Sequence, residues 1–230
     1  MNSAKIQAVM ITVTSSPSSI FGRLSRQTGE KINLFVLKHP RESLYYTLVY
    51  IPKPIESGII VDTLRSQQNK LIKISKHVGV YETFIAALKE RCEFYELVER
   101  YNVVLSVPYI IYRGLRTYCV YGEQRDVDRY LENLSALYSK GDIVTKRVDL
   151  ARCMDYLMRN VVDIYLLSFL TDKERQILLK AFESGYISSR RKVNLGELAE
   201  TLNIAKPTAS LMLRRAVEKV LKRIFESESR

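Results

Sequence analysis

The chain has 230 residues, of which 47% are hydrophobic and 27% charged. That is enough apolar material for one large domain or two modest ones with a real core, and too much for a disordered chain. Lys and Arg outnumber Asp and Glu by 36 to 25, a net charge of +11, which favours an anionic partner such as nucleic acid or a membrane surface. Three cysteines, Cys92, Cys119 and Cys153, are too few and too dispersed for a disulfide framework or a zinc knuckle. Each is expected to be a small buried hydrophobe in a reducing compartment. No apolar run reaches the roughly 20 residues that span a bilayer; the longest, Val161 to Leu170, is broken by Asp163. The N-terminus runs directly into alternating apolar residues and reads as a strand, not a signal peptide. The expectation is a soluble cytoplasmic protein with no membrane contact.

In chain order, Lys5 to Thr14 is β-branched and apolar, a strand. Ser caps, Pro17 and the face Ile20, Phe21, Leu24 then predict a short helix ending near Gly29. INLFVLKH and LYYTLVYI are two strands with a short join, hence antiparallel. ESGIIVDTLRSQQ is open between helix and strand, and NKLIKISKH alternates as a strand. Tyr81 to Tyr101 has helical spacing at positions 84, 85, 88, 92, 95 and 98. Two strands follow around Arg113-Gly114, then a helix from Asp126 to Lys140 with Val127, Tyr130, Leu131, Leu134 and Leu137 on one face, then the strand DIVTKRVD. Read with the helix option for that open segment, the order βαββαβ is spelled twice. An α+β fold with two tandem ferredoxin-like units, 1–77 and 70–149, is expected over residues 1–149.

Strands stop after Asp149. Leu150, Met154, Leu157, Val161, Ile164 and Ser168 keep an a/d rhythm for fewer than three heptads. Residues 150–169 are either a linker helix packed on its own chain or a pairing helix in a dimer. From Leu170 the pattern is all-α to residue 230. Thr171 and Glu174 form a capping box, Ile177, Leu178, Ala181 and Phe182 a buried stripe, and Gly185 a stop. A basic loop with Arg190, Arg191 and Lys192 leads to Asn194, which caps a second helix with Glu197 three residues on. A third helix starts near Lys206, with Pro207 in its first turn, where the missing N–H costs little.

This is helix-turn-helix spacing. Ala199 is the small residue that lets two helices touch, Asn203 supplies a left-handed turn position, and Ile204 plugs the angle. Ala209, Leu213, Ala216, Val217, Val220 and Ile224 are the expected inner stripe of the third helix. Lys206, Thr208, Ser210, Leu211 and Arg214 then point outward, beside Pro207 and Arg215. In this motif that face enters the major groove, where an arginine grips guanine with two hydrogen bonds and a Leu meets a thymine methyl.

LTDKERQILLKAFESGYI and NLGELAETLNIAKPTASLMLRRAVEKVLKRI resemble the helix-turn-helix domain of the archaeal bacterio-opsin activator family of transcription regulators. The match covers Leu170 to about Ile224, including the Gly-Tyr after the first helix and LRRA in the third. The resemblance implies a sequence-specific DNA-binding regulator in an archaeal cytoplasm, with the N-terminal region dimerising or sensing an effector. Ala205 stands where the family usually has a Ser cap, and Pro207 and Ala209 replace a more common Ser and a larger aliphatic. The implied partners are double-stranded DNA and a second copy of the chain, with a small effector of unknown identity. The pattern also resembles region 4 of bacterial sigma factors, which leaves an adaptor that docks proteins as the rival. An enzyme is not expected: His39 and His77 have no acid or Cys partner in sequence, and no phosphate loop, HExxH or CxxC occurs. No catalytic residue, cofactor or metal site is expected. Tyr109, Tyr112, Tyr118 and Tyr121 lie on adjacent strands without the signature of an RNA-recognition motif, so packing is their expected role.

Overall fold

Strand β1 (Ile6–Thr14) divides its side chains between two buried layers. Val9, Ile11 and Val13 lie under helices on one face, while Ala8 and Met10 belong to a smaller cluster on the other. Both backbone edges of β1 are paired as well. In the computed structural model, which describes residues 6–17, 19–38, 44–65, 71–79, 82–139, 141–167, 169–190 and 192–225, β1 sits between β8 (Leu115–Glu123) and β9 (Ile143–Val148). The chain divides into two compact units, Met1–Val161 and Val162–Arg230.

The first unit is built on one antiparallel sheet. Its other strands are β2 (Lys31–Lys38), β3 (Leu44–Ile51), β4 (Leu71–Val78), β5 (Thr83–Glu90), β6 (Val104–Leu105) and β7 (Tyr109–Tyr112). The order is β4-β5-β3-β2-β7-β8-β1-β9, with β6 on β8. Arg113 and Gly114 both have positive φ, 50° and 81°. This is the twist-matched two-residue turn that joins β7 to β8. Helices α1 (Ile20–Thr28), α2 (Ser57–Arg65), α3 (Glu93–Arg100) and α4 (Gln124–Leu137) contribute Phe21, Leu24, Ile60, Phe94 and Tyr130 to the main core. Ser19 caps α1 by accepting from the Gly22 amide, and Gly29 closes it at φ 69°.

The structure changes several expectations. Units 1–77 and 70–149 are not two sheets in tandem but one. Ile6 faces Glu123 and Ala8 faces Val148, so the first strand is completed by the last two. The helix expected over Tyr81 to Tyr101 is a strand followed by α3. Thr83, Ile85 and Ala87 are buried and Phe84 and Ala86 exposed, because β5 is held between β3 and β4 on both edges. Pairing on both sides overrides the helical preference of Ala-Ala-Leu-Lys-Glu. The open segment at 57–65 is helix. Leu137 is exposed rather than part of the α4 stripe.

Cysteine usage is also corrected. Cys119 on β8 and Cys153 form a disulfide, with Cα atoms 5.9 Å apart, and Cys92 alone is free. Cys153 belongs to α5 (Leu150–Val162), the helix expected to be a linker. Its buried face, Cys153 and Asn160 with half-buried Tyr156, lies on the second side of the sheet, where the Tyr156 hydroxyl donates to the Thr117 carbonyl at 3.0 Å. Burial pushes that phenol up to about 12. The a/d positions Leu150, Met154 and Val161 are on the exposed side. Along the chain the two units divide between Val161 and Val162, at the last residues of α5. Of the four tyrosines singled out, Tyr109 and Tyr118 are core, Tyr121 packs in the smaller cluster and Tyr112 is exposed.

Candidate DNA interface

The second unit begins with a π-helical turn, Asp163–Leu167, in which the Tyr165 hydroxyl donates to the Arg223 carbonyl at 3.1 Å. Helices α6 (Asp172–Glu183), α7 (Leu195–Thr201) and α8 (Lys206–Phe225) follow. Each of the first two starts on a reciprocal cap. Thr171 Oγ1 accepts from the Glu174 amide while Glu174 Oε2 accepts from the Thr171 amide at 2.9 Å. Asn194 Oδ1 accepts from the Gly196 and Glu197 amides while Glu197 Oε2 accepts from the Asn194 amide at 2.7 Å. These pairs satisfy backbone donors that a helix start leaves open.

Ile177, Ala181, Leu198, Ala199 and Ala209 form the buried core of the unit, with Ile204, Met212 and Leu213 packed against it. Small side chains at 199 and 209 let α7 and α8 approach. The Ile204 amide reaches back to the Ala199 carbonyl at 3.1 Å, and Asn203 takes φ 52° between them. Ala205 precedes α8 and offers only its carbonyl, to the Ala209 amide at 3.0 Å. Lys219 on α8 donates to Glu174 Oε2 at 2.8 Å and ties the last helix to the first cap. Burial alone would raise the Glu174 carboxyl, but Lys219 and Thr171 outweigh it and hold it below the ordinary value.

On α8, Lys206, Pro207, Thr208, Leu211, Arg214 and Arg215 are exposed, Leu211 by 47%. Ser210 is half-buried rather than fully outward. Arg190 and Lys192 are exposed on the loop before α7, and Arg191 lies outside the described residues. That loop is anchored: Gly185 turns at φ 75°, its carbonyl accepts from the Lys192 amide, and Ser188 Oγ donates to the Gly185 carbonyl at 2.7 Å. The Lys192 stem lies so close over Gly185 that a Cβ there would meet it at 3.0 Å.

Two stripe assignments are corrected. Phe182 is 75% exposed, and Val217 is on the outer side of α8. Ile177, Ala181 and Ala209 close the short three-helix core first, which leaves no partner surface for a side chain one position further round. Met212 and Lys219 are the inward residues that the sequence reading passed over. Met212 adjoins Leu213, and Lys219 is recognisable only once Glu174 is seen to be buried. His77 is exposed on β4, and His39 lies outside the described residues. Among the described residues no group of three His, Cys, Asp or Glu is placed to hold a metal, and no helix is long and apolar enough to cross a membrane.

Two short helices and a left-handed turn before a long basic helix define a helix-turn-helix module. Residues 170–222 match the family model described as an HTH DNA binding domain. The C-terminal unit therefore carries a DNA-binding domain of the bacterio-opsin activator type. No curated protein matches the chain. Among solved structures, the crystal structure of full-length DUF199/WhiA from Thermatoga maritima aligns with 89% of this chain and 92% of its own length, at 12% identity and a TM-score of 0.22. A superposition that loose transfers neither fold nor function.

Proposed function

We propose that the protein is a sequence-specific, DNA-binding transcription regulator of an archaeal cytoplasm, not an enzyme, that reads the major groove with the N-terminal half of α8. The observation that carries this reading is the exposed row Lys206, Thr208, Leu211 and Arg214 on a helix whose opposite face is sealed by Ala209 and Ala216. Arg214 reads a guanine edge, Leu211 meets a thymine methyl, and Thr208 and Ser210 donate to phosphates or base edges. Arg190, Arg191 and Lys192 grip the backbone, and Arg215 adds to that field. A buried disulfide is compatible with a cytoplasm in hyperthermophilic archaea, where such bonds are common.

The active form is a homodimer on two half-sites about one helical turn, or a multiple, apart. Support comes from two apolar surfaces of the first unit: Leu150, Met154 and Val161 on α5, and Tyr46, Leu48 and Phe84 on the sheet. Selection of bound genomic fragments yields the operator, and mobility shifts then read affinity. Arg214→Ala weakens operator binding by about 1–3 kcal/mol and relaxes one base position. Replacing Arg190, Arg191 and Lys192 together by Ala weakens all sequences alike and flattens the salt dependence. If neither change alters DNA affinity, the helix docks protein instead, as in the sigma-like alternative.

A further inference from the structure

Arg116 is the second residue of β8, opposite Val13, on the face covered by helices. It is only 7% exposed. A guanidinium at that depth keeps its charge and needs partners for its fork of donors. Here it has few. Nη2 donates to Ser19 Oγ across a long 3.4 Å, and Nε has no hydrogen-bond partner. Among the described residues no carboxylate pairs with it. The guanidinium lies 4.3 Å from the Phe94 ring centroid and 5.8 Å from that of Tyr109. Tyr109 and Tyr95 bond each other through their hydroxyls at 2.7 Å, and burial drives both phenols up, so they remain neutral beside the cation.

Arg116 also lines a cavity of about 330 Å³ that opens between α1, α3 and the sheet, with apolar walls from Phe21, Phe94 and Ile111. This is at the small end of ligand-pocket volumes. The lining contains three cations, Lys89, Arg91 and Arg116, and two anions, Glu90 and Glu96, a net charge of +1. Arg91 is already held by Glu96 and Glu99 at the rim. Lys89 lies over the Tyr95 ring and donates to Cys92 Sγ, and Arg116 is the lining cation that is buried with an unbonded donor. One positive charge on a planar fork suits a monoanion; a dianionic phosphate would need a second unpaired cation.

We propose that this cavity binds a small organic monocarboxylate with an apolar body, its carboxylate on the Arg116 guanidinium and its body among the apolar walls. Use of the site as the effector switch of a regulator rests on the function proposed above. Binding itself is measured without DNA, so a failure of one reading is distinguishable from a failure of the other. The test titrates the full chain with benzoate and hexanoate, with benzyl alcohol as the uncharged counterpart and inorganic phosphate as the dianionic one. At about 10 mM, at least one carboxylate raises the melting temperature by roughly 3 °C or more, while benzyl alcohol and phosphate do not. Arg116→Met abolishes the shift. In the wild-type protein, independently of any variant, one arginine Nε–H resonance moves on addition of that carboxylate and stays in place with benzyl alcohol. The proposal is overturned if neither carboxylate shifts the wild-type melting temperature, if phosphate or benzyl alcohol matches them, if the shift survives Arg116→Met, or if no arginine Nε–H responds.

Discussion

Among the described residues each unit buries one charged side chain, and the two are treated in opposite ways. In the C-terminal unit Glu174 is surrounded by its complement, with the Lys219 ammonium, the Thr171 amide and the Thr171 hydroxyl all on one carboxylate oxygen. In the N-terminal unit Arg116 is equally deep and has a long hydroxyl contact and aromatic faces. A buried charge with a full set of partners is part of the scaffold. Removing either member leaves an unmet group behind. A buried charge kept short of partners is costly to the fold, which is why its surroundings and not its stability contribution explain its presence. Glu174 thus belongs to structure and Arg116 to recognition.

Substitutions sharpen that contrast, beginning with the covalent tie of the first unit. Cys153→Ser opens a link between positions 34 apart in sequence and lowers the stability of the sheet unit by about 3–4 kcal/mol, measured by denaturant unfolding under non-reducing conditions. Glu174→Ala costs about 2 kcal/mol through the lost cap and pair. Its pH signature is specific. The folded carboxyl titrates below its ordinary value of 4.5, so its contribution is complete above that value and fades as pH falls through the lowered one. Glu174→Gln removes this acid-side slope, and a slope that survived would mean that the carboxylate is not the buried partner described here. Arg116→Met, by contrast, changes ligand-free stability by less than about 1 kcal/mol, since an apolar chain of similar length replaces an incompletely paired ion. A loss as large as that of Glu174→Ala would erase the distinction between the two sites. The smallest effect is a gain: Ala205→Ser places a hydroxyl before α8 and adds up to about 1 kcal/mol of thermal stability.

The helix-turn-helix was legible because its determinants are local. Thr171 and Glu174, Asn194 and Glu197, and Ala199 and Ile204 act within three to five positions of each other, so the sequence spacing is already the geometry. The turn at Asn203 and the stop at Gly185 were readable for the same reason. Phe182 and Val217 were misplaced because helical periodicity defines a stripe but not how wide a three-helix core is. The sheet elements were mostly recognisable one by one, and their partnership was not. Nothing in Ile6–Thr14 says that its neighbours are β8 and β9. Thr83–Glu90 carries helix-forming residues whose strand identity comes from two flanking strands. The Cys119–Cys153 bond and the exposure of Leu150 and Met154 follow from α5 lying on the sheet, a tertiary fact. Arg116 gave no signal, since an arginine in an alternating strand is ordinarily at the surface.

The position of β1 has a consequence for synthesis. Its two edges are filled by strands that end at Glu123 and Val148, so during synthesis β1 stays unsatisfied until the chain has been made through Val148. The helices of the C-terminal unit come later still and mature from short-range contacts, so the two units differ in when along the chain each becomes able to fold.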